Sequence, residues 1–359
     1  MEKVKLGDVC ERGSSNIAQK DIINNDGVYP IYGASGIIKY VDFYTQENEY
    51  IAIVKDGAGI GRTMILPAKS SIIGTMQYIF PKKNIYVRYL YYAIKSMNLA
   101  KYYSGVTIPH IYFKDYQKEQ LYLPGLDMQK KIVQKLDKIQ EIIDIREKQI
   151  EQLDKLIKSQ FVEMFENCKN IELIGKKIDI CRGASPRPIN NFITEDVNGE
   201  NWIKIGDASE NSLYITSTKE KITSEGANKS RRVYKGDFIL SNSMSYGRPY
   251  ILGINGCVHD GWLIMSKFQN TFNELYLYYA IRDEYVQNQF AGKVNGATVK
   301  NLNSDLVKAS FIKIPPIEAQ NRFAEFVKQI NKQKFEIQKS LEEMQLLQES
   351  LMNSYFGEM

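Results

Sequence analysis

The sequence predicts a mixed α/β (α+β) protein with two globular domains related by pseudo-two-fold symmetry. Each domain is followed by a long helix, and the two helices form an antiparallel coiled coil. Three observations lead there. The first is an internal repeat. Tyr89-Leu90-Tyr91-Tyr92-Ala93-Ile94 returns unchanged as Tyr276-Leu277-Tyr278-Tyr279-Ala280-Ile281, 187 residues later. Further on, Pro124 answers Pro315, Gln129 answers Gln320, Ser159 answers Ser350 and Phe165 answers Phe356, each 191 residues apart. The second copy therefore carries a net four-residue insertion before its Gly296-Ala297-Thr298-Val299 turn, the counterpart of Gly105-Val106-Thr107-Ile108. The second observation is length: 359 residues divide into two ordinary domains of about 180 residues each. The third is a pair of long segments with heptad spacing, one closing each repeat.

Residues 1–123 form the first domain. Tyr50-Ile51-Ala52-Ile53-Val54 and Ser71-Ile72-Ile73 are short β-like runs bounded by Asp56-Gly57 and Gly74. The Tyr-rich hexapeptide with its flanks, about residues 86–103, reads as helix. Residues 167–314 form the second domain and repeat this scheme. Its strands are expected near Trp202-Ile203-Lys204-Ile205, Phe238-Ile239-Leu240 and Tyr250-Ile251-Leu252.

Residues 124–166 and 315–359 hold the long helices. Between Leu126 and Phe165 there is neither Pro nor Gly. Apolar residues recur there at steps of three and four, the pattern of a helical face that must be buried. The first seam reads Ile132, Leu136, Ile139, Ile143, Arg146, Ile150, Leu153, Ile157, Gln160 and Met164. The second, 191 residues on, reads Phe323, Val327, Ile330, Lys334, Ile337, Leu341, Met344, Gln348, Leu351 and Tyr355. Roughly 38 residues at about 1.5 Å each give helices near 57 Å. Each helix has the other copy as its simplest partner, with Arg146, Gln160, Lys334 and Gln348 fixing register. The alternative is that each helix packs on its own globular domain. Pro124 and Pro315-Pro316 stop a strand and preset the first helical turn.

This ordered set resembles the specificity subunits of type I restriction-modification systems. The resemblance covers essentially the whole chain and rests on a variable domain followed by an aliphatic-Pro-(Pro)-x-x-x-Gln type of entry into a long helix, occurring twice. Leu6-Gly7-Asp8-Val9-Cys10-Glu11-Arg12-Gly13 and Ile178-Asp179-Ile180-Cys181-Arg182-Gly183 look like the usual starts of target-recognition domains. Lys235-Gly236-Asp237-Phe238-Ile239-Leu240 supplies the expected Gly-Asp before a strand, while Asn48-Glu49-Tyr50-Ile51 lacks it.

The resemblance implies that each domain reads one half of a bipartite site on double-stranded DNA and that the helices set the unread spacer. It implies docking of two methyltransferase subunits and association with endonuclease/translocase subunits. S-adenosylmethionine, ATP and magnesium are then expected on the partner subunits only, with no cofactor on this chain, which itself catalyses nothing. Because residues 14–85 and 184–270 differ between the copies, the two half-sites should differ. The competing reading is a duplicated coiled-coil interaction scaffold without DNA specificity; a third is a stand-alone nuclease or methyltransferase.

Composition fits but does not select. A net charge of +5 permits a polyanionic partner without demanding one. Four cysteines without a C-x-x-C pair, together with only two histidines, make a structural zinc site and a disulfide framework unexpected, and point to a reducing, cytoplasmic location. There is no run of 18 apolar residues to suggest a membrane partner. Ile314-Pro315-Pro316-Ile317 lacks both ends of the Asn/Asp-Pro-Pro-Tyr/Phe motif that holds a flipped adenine. Asp56-Gly57-Ala58-Gly59-Ile60-Gly61-Arg62 runs into the strand-like Thr63-Met64-Ile65-Leu66, whereas a cofactor loop should open a helix.

The candidate DNA contacts lie on turns. Arg62 and Arg248 follow equivalent glycines. Each either aims its fork at guanine or pins its own loop by bonding local carbonyls. Asn242, Ser243 and Tyr246 share the second of these turns. Lys229, Arg231 and Arg232 form a basic cluster suited either to phosphates or to plain solvation. Thr107, Lys293, Thr298 and Lys300 lie in or beside the matched Gly-x-Thr turns, whose backbone amides and hydroxyls either contact phosphate or simply close the domain onto its helix. Tyr89, Tyr92, Tyr276 and Tyr279 read as packing residues rather than base readers. His110 has Asn301 as its counterpart and therefore little support as a base, and His259 is either a base contact or a core residue.

Overall fold

The computed structural model describes residues 2–105, 109–209, 212–242, 246–294 and 301–357. Two compact units result, Met1–Gln149 with Ile337–Met359, and Ile150–Glu336. Their boundaries cut across both long helices, Leu126–Phe165 and Ile317–Phe356. Each unit thus contains one globular domain, the first part of that domain's own helix and the last part of the other helix.

In the first unit, Glu2–Lys5 pairs antiparallel with Gln120–Leu123 and brings the domain's two ends together at the foot of its helix. The main sheet runs Cys10–Ser14, Met76–Pro81, Tyr50–Val54, Thr63–Leu66, all antiparallel. Every residue of Tyr50–Val54 is buried, as a continuous apolar run flanked on both sides requires. A smaller sheet joins Gly36–Val41, Tyr29–Gly33 and Ser71–Ile72. The Tyr-rich helix Val87–Ser96 buries Tyr89, Leu90, Tyr92, Ala93 and Ile94 against the core shared with Ile132, Val133 and Leu136 of the long helix.

The second unit repeats the frame and enlarges its outer part. Ile171–Leu173 pairs with Phe311–Lys313. The main sheet runs Asp179–Arg182, Trp262–Ser266, Phe238–Ser241, Pro249–Leu252, Tyr214–Ile215. The outer sheet has five strands, ordered Ile193–Thr194, Glu220–Ile222, Glu200–Ile203, Gly256–Val258, Arg231–Val233. The core gathers Ile157, Phe161 and Phe165 with Phe323, Ala324, Val327 and Tyr276.

Within each unit the helices run antiparallel. In the first, Lys135 Nζ meets Tyr355 Oη at 3.5 Å, and Gln348 Nε2 donates to Gln140 Oε1 at 3.0 Å, so one number rises as the other falls. In the second, Lys334 Nζ donates to Asp154 Oδ1 at 2.5 Å, and the Phe161 and Phe323 rings lie 5.4 Å apart. All twenty seam residues are buried or half-buried. Packing on the home domain and packing on the other helix, posed above as alternatives, occur together. Ile132 and Leu136 lie in the first domain's core, and Leu351, Met352, Tyr355 and Phe356 pack against the same cluster.

The five-residue step from Pro124 to Gln129 and from Pro315 to Gln320 has a structural explanation. Gln129 is fully buried. Its Nε2 donates to the Pro124 carbonyl at 2.8 Å and the Asn84 carbonyl at 3.0 Å, while its Oε1 accepts from the Tyr86 N–H at 2.8 Å. The glutamine therefore ties the start of the long helix to the start of the Tyr-rich helix. Tyr89 Oη adds a bond to the Tyr122 carbonyl at 2.7 Å, and Tyr276 Oη makes the matching bond to Lys313 at 2.8 Å. Tyr89 and Tyr276 are thereby fixed as packing residues.

Candidate nucleic-acid interface

The equivalent Gly-Arg turns lie in matching hairpins. Gly61 precedes Thr63–Leu66, which pairs with Tyr50–Val54; Gly247 precedes Pro249–Leu252, which pairs with Phe238–Ser241. Gly61 has φ +80°, and a Cβ there would come within 2.6 Å of the Ala100 nitrogen, so this turn requires glycine. Gly57 at φ +91° donates its N–H to the Pro109 carbonyl at 2.9 Å. The loop runs into a strand, not a helix, and so offers no helix N-terminus to a phosphate.

Arg62 is exposed, and its Nη1 donates to the Ala34 carbonyl at 2.6 Å. This is the loop-pinning arrangement; one arm of the guanidinium is held by the domain. Arg248 is half-buried, and its backbone N–H donates to Ser241 Oγ at 3.0 Å. Asn242 needs a correction as a base contact. It is 6% exposed, its Nδ2 donates to the Asp260 carbonyl at 2.9 Å, and its backbone bonds to Gly261 and Leu302. It is an internal strut, because a buried amide has to satisfy its donors inside the protein. Tyr246 packs against the second core. Ser243, Thr107, Thr298 and Lys300 lie outside the described residues, and Lys293 lies in the helix Glu284–Val294.

The basic cluster is more dispersed than its sequence suggests. Lys229 pairs with Glu225 at 2.8 Å and sits over the Phe192 ring at 4.6 Å. Arg232 pairs with Glu200 at 2.6 Å, which raises its pKa. Arg231 is exposed and has no ion pair among the described residues. Exposed pairs of this kind contribute little to stability, so a phosphate can displace a glutamate at small cost.

The second domain also contains a constellation that the sequence reading passed over. A cleft of about 1000 Å³ opens between the loop Ser185–Pro188 and the outer sheet, over a floor of Trp202, Ile193 and Ile189. Asp260 organises its rim. Its carboxylate accepts from Ser185 Oγ at 2.9 Å and Arg187 Nη2 at 3.2 Å, and lies 3.7 Å from Arg182 Nη2. Burial works to raise the Asp260 pKa, but the Ser185 hydroxyl, His259 and the charges of Arg182 and Arg187 hold it below the ordinary value. His259 is neither a core residue nor isolated. Its Nδ1 accepts from the Gly261 N–H at 2.9 Å, and its Nε2 faces Asp260 Oδ1 at 3.1 Å. On the opposite wall Lys204 and Glu220 form an ion pair. The available sequence signal was Ser185-Pro186-Arg187-Pro188, in which two prolines restrict the backbone around one arginine.

Among the described residues there is no group of three His, Cys, Asp or Glu able to hold a metal ion. No helix among them is long and apolar enough to cross a membrane.

Comparison with known proteins supplies the class. The family model described as type I restriction modification DNA specificity domain matches residues 1–155 and again 178–346. The chain belongs to this family. A putative type I restriction enzyme specificity subunit of Haemophilus influenzae is 24% identical over 318 residues, covering 84% of this chain and 80% of that protein. The MjaVIII specificity subunit of Methanocaldococcus jannaschii is 22% identical over 391 residues, covering 98% and 91%. The crystal structure of the type I S subunit from M. genitalium superposes with a TM-score of 0.66 at 15% identity, covering 100% of this chain and 96% of that one. A second structure, solved in work on assembly and conformational transition of the type I system, gives 0.58 at 15% identity, covering 99% and 97%. The two family matches mark two DNA-recognition domains, and specificity subunits of this family are non-catalytic.

Proposed function

We propose that this specificity subunit recognises an asymmetric bipartite DNA site with a fixed spacer, each globular domain reading one half-site. The observation that carries this reading is a common frame bearing unlike readers. Both domains start their long helix with the same buried glutamine bonded to the same three backbone positions. Their outer sheets differ, with three strands in the first and five in the second. A common frame holds orientation, and unlike outer sheets give unlike sequence preferences.

The antiparallel helices set the spacer and dock two methyltransferase subunits, to which endonuclease/translocase subunits are added. S-adenosylmethionine, ATP and magnesium belong to those partners, and the complex works in the cytoplasm. Lysine and arginine contacts to phosphate supply most of the affinity, which should fall steeply with salt. Base-edge contacts supply discrimination, each bidentate pair contributing about 1–3 kcal/mol.

Genome-wide methylation mapping of a strain carrying the complete system tests this. The expected motif is two different short sequences separated by a fixed run of unspecified bases. A continuous or perfectly palindromic motif overturns the reading. Electrophoretic shift of random duplex, with and without the methyltransferase subunit, separates DNA recognition from pure scaffolding.

A further inference from the structure

We propose that Arg187, held by Asp260 at the mouth of the second domain's cleft, is a base-reading arginine that recognises a guanine in that domain's half-site. The assignment rests on the reading above, that the second domain reads one half-site, and names a residue that does so.

Four observations carry it. The first is location. Arg187, Asp260 and the residues lining their cleft all lie within 184–270, the segment with little counterpart in the first domain. A residue that makes one half-site differ from the other belongs where the copies differ. Arg62 and Arg248 instead occupy equivalent turns.

The second is exposure. Among the arginines in ion pairs, the Arg187 side chain is 81% exposed, against 61% for Arg182, 42% for Arg232 and 36% for Arg88. Arg88 is committed to both Glu49 and Asp137, and Arg232 to Glu200. Arg187 gives one nitrogen, Nη2, to Asp260, and its remaining donors have no partner among the described residues.

The third is preorganisation. Asp260 is fixed from several directions. Its carboxylate accepts from Ser185, and its backbone carbonyl accepts from Arg182 Nε at 2.8 Å and Asn242 Nδ2 at 2.9 Å. A carboxylate anchored in this way holds one arm of the guanidinium and reduces the rotamer freedom lost when the other arms bind. Pro186 and Pro188 restrict the backbone on either side.

The fourth is charge. Arg182 and Arg187 share the single carboxylate of Asp260, leaving one net positive charge at the rim. Lys204 and Glu220 cancel one another across the cleft. A guanidinium fork with donors free beside a net positive rim matches the O6 and N7 acceptors of guanine in the major groove. Asp260 is a positioning residue in this scheme and touches no base.

The test maps methylation by the complete complex of specificity and methyltransferase subunits carrying R187A, R187K or D260N. R187A is expected to relax one guanine position of one half-site, with preference there falling by about 5- to 150-fold. The other half-site stays unchanged and reports that the complex has assembled. R187K retains the charge without the fork and should relax the same position. D260N should relax it partially while leaving other positions intact. A bipartite wild-type motif left unaltered by R187A overturns the assignment alone. Uniform loss of methylation over all sites, with no position relaxed, also overturns it by marking Arg187 as a phosphate contact. A wild-type motif that is not bipartite overturns the underlying reading and the assignment with it.

Discussion

Gln129 and Gln320 make the same three hydrogen bonds at equivalent places in the two halves of the chain. Gln320 Nε2 donates to the Pro315 and Thr271 carbonyls at 2.9 and 3.1 Å, and its Oε1 accepts from the Asn273 N–H at 2.9 Å. Pro315 answers Pro124, while Thr271 and Asn273 answer Asn84 and Tyr86. Both glutamines are fully buried. Replacing either by Ala strands one buried N–H and two carbonyls, at a cost of about 2–4 kcal/mol. Chemical denaturation of Q129A and Q320A should show this loss. Hydrogen exchange should place the weakening at residues 84–86 in the first variant and 271–273 in the second.

Gln140 and Gln348 bond across the helix pair within the first unit. Replacing both by Leu removes donor and acceptor together and adds apolar seam, so stability should be unchanged or rise by about 1 kcal/mol. The polar contact specifies register. Cysteines placed at positions 135 and 355 and bridged by a bifunctional thiol reagent long enough to span the Lys135–Tyr355 contact should therefore link in one register in the wild type and less selectively in Q140L/Q348L. Equal selectivity would leave register to the apolar seam alone.

Thiol reactivity separates the cysteines by burial. Burial pushes the Cys10 thiol up to about 12 and also raises that of Cys257. Thiolate is the reactive form, so both should resist a disulfide reagent at neutral pH until the protein unfolds. Cys168 and Cys181 are half-buried and should react first. Mass spectrometry of labelled peptides reads the order directly.

Asp260 should couple stability to acid pH. Its folded pKa lies below the unfolded value of 3.8, because the Ser185 bond, His259 and the guanidinium groups of Arg182 and Arg187 outweigh the burial that would raise it. The stabilisation is complete above the unfolded value and is lost as pH falls through the folded one. D260N should therefore melt below wild type at pH 7, and the gap should close as the pH falls through the lowered carboxyl pKa. A constant gap would assign the loss to geometry rather than charge.

Arg62 is held to the Ala34 carbonyl. R62A should cost at most about 1 kcal/mol, as expected for one partly exposed hydrogen bond. If the pinned fork also reads a base, methylation mapping will show relaxation of the first half-site only. A stability loss with an unchanged motif identifies the residue as a loop pin.

The sequence by itself determined the duplicated organisation, both long helices and their seam. A heptad pattern repeated without Pro or Gly has one compact solution, a helix with its stripe covered, and all twenty seam positions are covered. It also identified Gln129 and Gln320 as equivalent, Tyr50–Val54 as a strand, and Phe238–Leu240 as lying in one, which the structure extends to Ser241. Only the tertiary structure decided what each polar side chain is used for. Asn242 lies on a polar turn by sequence, yet it is buried, because residues 260 and 302 fold over it from far along the chain. Arg232 and Lys229 stand near Arg231 in sequence, yet each faces a glutamate. Asp260 and Arg187 are 73 residues apart and become neighbours only when the strands bring their loops together. Apolar periodicity is local and strong, so it can be read from one strand of text. The partner of a charge is set by long-range packing, which no local pattern records.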